Sequence, residues 1–477
     1  MERNEINGTD ECRRDDMENV KAELSGKDTN FREGSLNGSL WKVILSVGLP
    51  LAFYQSLNQL FKILDTMMAS HISSRSVSAV AYLSQISIFL SSIGAGLAVG
   101  SGIKISRAYG EGDYRMVKRR VSSLYAICVV TGLVILAVIF PFVEEFLALA
   151  GTPAALIEEG CAYFRVELVC LVVQVFNGVY ISVERARGNS GRIMYLNLMV
   201  IGVKLGLTAF FVYGLEGDLV MISWASLISQ VCLMIFGVAR GLMESDNAFG
   251  FSLKAVTLKR EVVGPMLSQS FPVMVEKMAF AFGKTVVNAM SVSYGELTVG
   301  ALGVSNNLGG INTNPQNGIQ EGGASIISQN MGAGKPERAV AAFWRVLILN
   351  LIIGGVFMTL TLLGLDQLAG LFDGGDPQFH QLIMDVYQYE ALGALTLGVN
   401  SAVMSLLYGL GKTKLTLAIN FSRVFIFRIP VLWALQRFTT LGAESVGIVM
   451  LVSNVSVGVV AAAVAAVVLR GMRRNRF

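Results

Sequence analysis

Histidine is almost missing from this chain: His71 and His380 are the two among 477 residues, both near loops. The sequence therefore does not point to a histidine-based catalytic or metal centre. Charge is scarce as well, at 15% Asp, Glu, Lys and Arg, against about 25% in soluble proteins. With 53% hydrophobic residues, this describes a polytopic membrane protein. Of the five cysteines (Cys12, Cys128, Cys161, Cys170 and Cys232), none forms a CxxC pair and four lie in apolar segments. They read as small buried hydrophobes, not as a disulfide framework or metal site. Gly411-Lys412-Thr413 resembles the end of a phosphate-binding loop, but Leu406 stands where its first glycine belongs. No HExxH, GxGD-type motif or Ser/His pair lies in the apolar segments, so an intramembrane enzyme is the least supported class. No cofactor and no nucleic-acid partner is expected.

What is present is a set of long apolar runs: twelve, at about 41–69, 78–108, 116–143, 156–183, 193–214, 218–242, 263–292, 298–330, 338–364, 379–409, 414–436 and 445–470. Each is long enough for a bilayer, which takes about 20 helical residues, and the 50 glycines suit close helix packing. Residues 1–40 are polar and of mixed charge, which predicts a disordered tail. No secretory signal is expected before the first run. The loops alternate in sign. Arg115, Lys118–Arg120, Arg185, Arg187, Arg192, Lys254, Lys259, Lys335, Arg338, Lys412 and Arg470–Arg476 form a basic set; Glu144, Glu145, Glu158, Glu216, Asp218, Glu296, Asp373 and Asp376 form an acidic one. The positive-inside rule then predicts both termini in the cytoplasm of a cell-membrane protein.

The chain is internally duplicated. Gly96-x-x-x-Gly100 and Ser106 to Gly112 align with Gly318-x-x-x-Gly322 and Ser328 to Gly334 (318 − 96 = 222), as Pro50 does with Pro272 and Ala79 with Ala301. Asn177, Gly188 and Asn197 pair with Asn400, Gly411 and Asn420 (400 − 177 = 223). An even number of repeated spans keeps the same orientation. The expected fold is all-α: two six-helix bundles, 41–242 and 263–471, related by a pseudo-two-fold around a central cleft. Residues 243–262 form the linker and 472–477 a basic tail.

The stretch Pro50–Thr66 carries Gln55, Asn58, Gln59, Lys62, Asp65 and Thr66 within about a 120° arc of one helix. Such a stripe must face protein or water, and Pro50 predicts a bend. Asp65 is either a coupling carboxylate or one end of a local pair with Lys62, one turn away. In span seven Glu276, Lys284 and Asn288 form a second interior stripe, read either as a cavity group or as a Glu276–Lys284 pair. Span eight is crowded with amides, among them Asn314, Asn317 and Gln320, and its glycines and Pro315 argue against a regular helix. Glu167 and Glu390 occupy equivalent places and read as solvated outer-face groups.

Leu49-Pro50 with Leu64-Asp65-Thr66, the Gly96–Gly112 stretch, Ser328 to Lys335 and Gly409 to Thr413 together resemble the multidrug and toxic compound extrusion family, within the multidrug/oligosaccharidyl-lipid/polysaccharide exporter superfamily. The resemblance covers about residues 41–470. It implies a cation-coupled antiporter that exports amphiphilic organic cations by alternating access. The coupling ion would be a proton or, in some members, sodium. It gives Asp65 a coupling role, with Glu276 as a C-terminal counterpart. Many members read Asn-x-x-x-Asp-Pro in span five, where this chain has Lys204 and Thr208-Ala209; an ammonium in place of a ligand favours protons. A substrate cavity would be lined by Gln55, Asn58, Gln59, Lys62, Asn177, Lys284, Asn288, Asn314, Asn317, Gln320 and Asn400. The superfamily leaves a second reading, a flippase for a lipid-linked saccharide. A monomer in contact with membrane lipid is expected.

Overall fold

A computed structural model describes residues 22–69, 74–149, 152, 154–215 and 217–474, with backbone alone over 61–69, 74–82, 84–85, 154–156, 158–159, 219 and 296. Its helices are α1 (Gly26–Asn37), α2 (Leu40–Ala69), α3 (Ser74–Glu111), α4 (Tyr114–Ile139), α5 (Val143–Leu149), α6 (Ala154–Ala186), α7 (Ser190–Ala209) and α8 (Leu219–Met243). The second half holds α9 (Arg260–Ser291), α10 (Glu296–Gly332), α11 (Pro336–Leu363), α12 (Leu365–Gly370), α13 (Pro377–Leu392), α14 (Ala394–Gly409), α15 (Thr413–Phe425), α16 (Ile429–Phe438) and α17 (Glu444–Arg474). Among the described residues nine helical segments are long and apolar enough to cross a membrane, and α13 with α14, bent by 46°, make a tenth. The polar stripes of α9 and α10 keep those two below the same apolarity, and they complete the twelve.

The duplication is visible in the packing. In the first half α2 lies on α7, α3 on α4 and α6, and α6 on α8; in the second, α9 lies on α15, α10 on α11 and α14, and α14 on α17. The halves meet where α2 packs on α10 and α3 on α9 and α10. One apolar core runs across that junction, from Val47 and Leu51 of α2 to Ile319, Phe343, Leu406 and Val457. Loop chemistry repeats too: Gly112 (φ +82°) matches Gly334 (φ +69°), and Gly188 (φ +82°) matches Gly411 (φ +70°). Each ends a helix in the left-handed region that glycine enters without steric cost.

Three expectations need correction. Gly26–Asn37, expected in a disordered tail, is a helix capped by Ser25, which accepts from the Asp28 amide; its polar residues find buried partners in the bundles instead of an apolar core of their own. Residues 1–21 lie outside the described residues. α10 is one continuous helix of 37 residues despite Pro315 and its glycines, because neighbours pack along it and its amides bond within it, as Asn306 does to the Leu302 carbonyl at 2.8 Å. At the C-terminus α17 runs on to Arg474, into the expected tail; residues 475–477 lie outside the described residues.

Candidate transport pathway

Closure at the basic side of the bundle is made by glycines that appear twice. A Cβ on Gly96 would sit 2.8 Å from the Met274 nitrogen, and one on its counterpart Gly318 2.4 Å from the Ala52 nitrogen. Gly100 likewise meets Ser270 at 2.3 Å, and Gly322 meets Gly48 at 3.3 Å. At the helix ends a Cβ on Gly110 would come within 2.0 Å of the Gln329 carbonyl oxygen, and one on Gly332 within 2.1 Å of that of Arg107. Backbone approaches this close have no room for side chains. They are bolted by Ser328 Oγ donating to the Ile103 carbonyl (2.8 Å) and by Gln329 Nε2 donating to that of Ala186 (2.8 Å). The Gly96-x-x-x-Gly100 motif is thus one half of the junction between the two bundles.

Within this junction, between the Gly96–Gly100 contacts and those of Gly110 and Gly332, lies a pocket shared by both halves. Val99, Gly102, Ile103, Ser106, Ser182 and Arg185 line it from the first half; Lys277, Gln320, Glu321, Ala324, Ser325 and Tyr408 line it from the second. Ser106 and Ser325 share a hydrogen bond across its floor at 3.0 Å, and Arg185 pairs with Glu321 from half to half. At the repeat offset Arg185 and Tyr408 are counterparts (408 − 185 = 223). The pocket therefore sits on the pseudo-axis, with different chemistry on its two sides.

Glu276 lies behind the Tyr408 wall, 6% exposed. Tyr408 Oη donates to its Oε1 at 2.7 Å, Thr416 Oγ1 to its Oε2 at 2.7 Å, and Asn420 Nδ2 to its Oε1 at 2.7 Å. Three neutral donors from α14 and α15 thus hold a carboxylate inside a membrane bundle, where charge is expensive and marks function. One of those donors also faces the pocket.

The other expected site residues divide. Gln59 and Asn314 come together between the halves: Asn314 Nδ2 donates to Gln59 Oε1 at 2.9 Å, and Gln59 Nε2 to the Asn307 carbonyl at 3.0 Å. Gln320 lines the pocket and accepts from Ser401 Oγ at 2.9 Å. Gln55, Lys284 and Asn288 are half-buried, and Asn58 and Asn317 exposed. Asn177 is not a cavity group: it is buried within the first bundle and donates to Gln230 Oε1 at 2.8 Å, because its helix face packs on α8. Asn400 is buried in α14. Thr208 is buried and Lys204 half-buried on α7. The side chains of Lys62 and Asp65 lie outside the described residues. Glu390, expected in a solvated role, instead accepts from Ser305 and packs on Gly309. The groups that periodicity missed are Arg185, Tyr408, Thr416, Asn420 and the pairing of Glu321. Among the described residues no cluster of His, Cys, Asp and Glu could hold a metal ion.

The profile of the MatE family matches twice, over residues 50–210 and 272–434, one match to each repeat. The multidrug export protein MepA of Staphylococcus haemolyticus is 23% identical over 83% of this chain and 87% of its own length. The probable multidrug resistance protein YoeA of Bacillus subtilis is 22% identical over 84% and 88%. Among solved structures, the outward-facing conformation of a multidrug resistance MATE family transporter of the MOP superfamily superposes with a TM-score of 0.89 at 18% identity, covering 95% of this chain and 100% of that one. A MATE structure in complex with MaL6 gives 0.88 at 19% identity, over 92% and 99%. With its apolar spans, duplicated bundles and two matched repeats, the chain is a multi-pass membrane protein that belongs to the MatE family.

Proposed function

We propose that this protein is a proton-coupled antiporter that exports amphiphilic organic cations, with its basic side and both termini in the cytoplasm. The observation that carries the coupling is Glu276 and its three donors. As a carboxylate Glu276 accepts all three bonds. Once protonated it must donate one, so at least one donor has to turn. The hydroxyls of Tyr408 and Thr416 can become acceptors, whereas the NH₂ of Asn420 cannot. A proton arriving at Glu276 can be met by Thr416, which has the Thr413 carbonyl at 2.9 Å as its other acceptor, or by Tyr408, which also walls the pocket; coupling uses the second. Proton and substrate then act on one side chain, as exchange requires. Sodium would need several oxygens turned toward it, where three donor hydrogens now point at the carboxylate.

In this orientation the glycine junction closes the cytoplasmic side, and transport requires the halves to part there. Glu321, Gln320 and the serines offer the substrate polar contacts, with Glu321 available to a cation once Arg185 swings aside. Asp65 keeps the coupling role that family membership suggests. The relatives named for multidrug export support the choice of substrate. The test is Glu276→Gln in proteoliposomes. It should bind a fluorescent cationic amphiphile with affinity near that of the parent and lose uptake driven by a pH gradient. Unchanged pH-driven uptake would remove Glu276 from the mechanism.

A further inference from the structure

The glycine junction is crossed by an element that the repeat does not require. Helix α1 lies over the basic side and touches both halves, but in different ways. Its N-terminal part is sunk into the first half. The Asp28 carboxylate, fully buried, takes two bonds from Arg187 (2.9 and 3.0 Å) and one from Asn247 Nδ2 (2.9 Å), and the Asp28 carbonyl accepts from the Tyr109 hydroxyl. Arg187 is shared with Glu184 and Glu244. The Phe31 ring rests on Gly188, where a Cβ would come within 2.4 Å of it. Arg32 caps the end of α3, donating to the Tyr109 and Gly110 carbonyls at 2.9 Å each. Glu23 adds a backbone bridge to Asn247.

The C-terminal end is held by the second half in another manner. Lys335 donates to the Leu36 carbonyl (3.1 Å), Asn330 to that of Ser35 (3.3 Å), and Arg338 to those of Ser35 (3.1 Å) and Gly38. These are two cations and one amide on the open carbonyls of a helix C-terminus, a favourable contact that contains no ion pair. They come from the α10–α11 turn, next to Gly332, which must leave Arg107 when the junction parts.

We infer that α1 is a strap for the closed cytoplasmic gate. It is anchored on the first half through Asp28 and released from Lys335 and Arg338 of the second half in every transport cycle. The asymmetry decides which end lets go: one side is a buried ion-pair network centred on Asp28 and Arg187, the other a set of bonds to backbone carbonyls with no ion pair, from half-buried Lys335 and Arg338 and from buried Asn330. Asn37 connects directly to α2 of the first half, so α1 can stay with that half while the second swings away. The strap thereby weights the conformational equilibrium toward the cytoplasm-closed state.

The inference rests on the transporter reading, and two disulfide locks separate their failures. Asn37→Cys with Lys335→Cys ties α1 to the second half; Glu23→Cys with Asn247→Cys ties it to the first. In proteoliposomes loaded with a cationic amphiphile, oxidation of the first pair should stop flux and reduction restore it, while the second pair transports in both states. Flux that survives the first lock, or stops under the second, overturns the strap while leaving the transporter reading intact. Absence of flux in the parent chain would overturn the transporter reading itself. A second measurement needs no disulfide. Lys335→Ala with Arg338→Ala should raise labelling of Ser106→Cys by an impermeant thiol reagent from the cytoplasmic side on the order of tenfold over the same cysteine in the parent. Equal labelling would overturn the strap.

Discussion

Asp28 offers the sharpest stability test, because a residue from a polar N-terminal stretch proves to be fully buried. Asp28→Asn keeps the shape and one acceptor but removes the charge that faces Arg187. Breaking a buried pair by removing one partner costs about 3–5 kcal/mol. Arg187 retains Glu184 and Glu244, so the lower end applies, near 3 kcal/mol. The loss should appear first as release of α1: limited proteolysis within 26–37 at protein concentrations and times that leave the parent intact. The apparent Tm in detergent should also fall. The effect depends on pH. Burial pushes the Asp28 carboxyl upward, but the bond and charge of Arg187, with help from Ser25 and Asn247, outweigh it and hold the group below the usual carboxylate range. A lowered folded value stabilises fully above the unfolded pKa of about 3.9 and loses that stabilisation as pH falls through the folded value. Parent and Asp28→Asn should therefore differ at pH 7 and converge as the pH drops below about 4. Equal protease resistance at pH 7 would show that the ion pair does not hold α1.

Further tests follow from the junction and the carboxylate site. Gly318→Ala puts a Cβ 2.4 Å from the Ala52 backbone nitrogen; overpacking of this kind costs about 1–3 kcal/mol. It should shift the halves apart on the basic side, read as increased labelling of Ser325→Cys from that side, and unchanged labelling would contradict the glycine account. Tyr408→Phe keeps the pocket wall but removes the 2.7 Å bond to Glu276. It should lower pH-driven flux on the order of tenfold, the worth of one charge-assisted bond, with dye affinity changed far less.

Hydropathy and the 222-residue offset made the bundle plan legible, because bilayer thickness and duplication act on local sequence. Long-range partners were not legible in the same way. Periodicity put Glu276 on an interior face, yet Tyr408 lies 132 residues further on, and no local pattern says that its hydroxyl arrives there. Gln59 and Asn314 were each readable as interior amides, and the structure joins them. Asn177 carried the same signal and turned into its own bundle, since an amide on an inner face serves helix packing as well as a cavity. Helix α1 escaped because its low apolarity looks like disorder when the partners of Asp28, Arg187 and Asn247, are 159 and 219 residues away. Pro315 misled because a proline's missing donor was weighed without the neighbours that pack along α10.

The central claim is that proton entry drives export through the Glu276–Tyr408 pair. It is tested most directly by flux of a fluorescent organic cation in proteoliposomes with pH and sodium gradients imposed separately, at zero membrane potential. The account predicts transport against the dye gradient with the pH gradient alone, none with sodium alone, and loss of the pH-driven component in Glu276→Gln. Robust sodium-driven flux at clamped pH would contradict it.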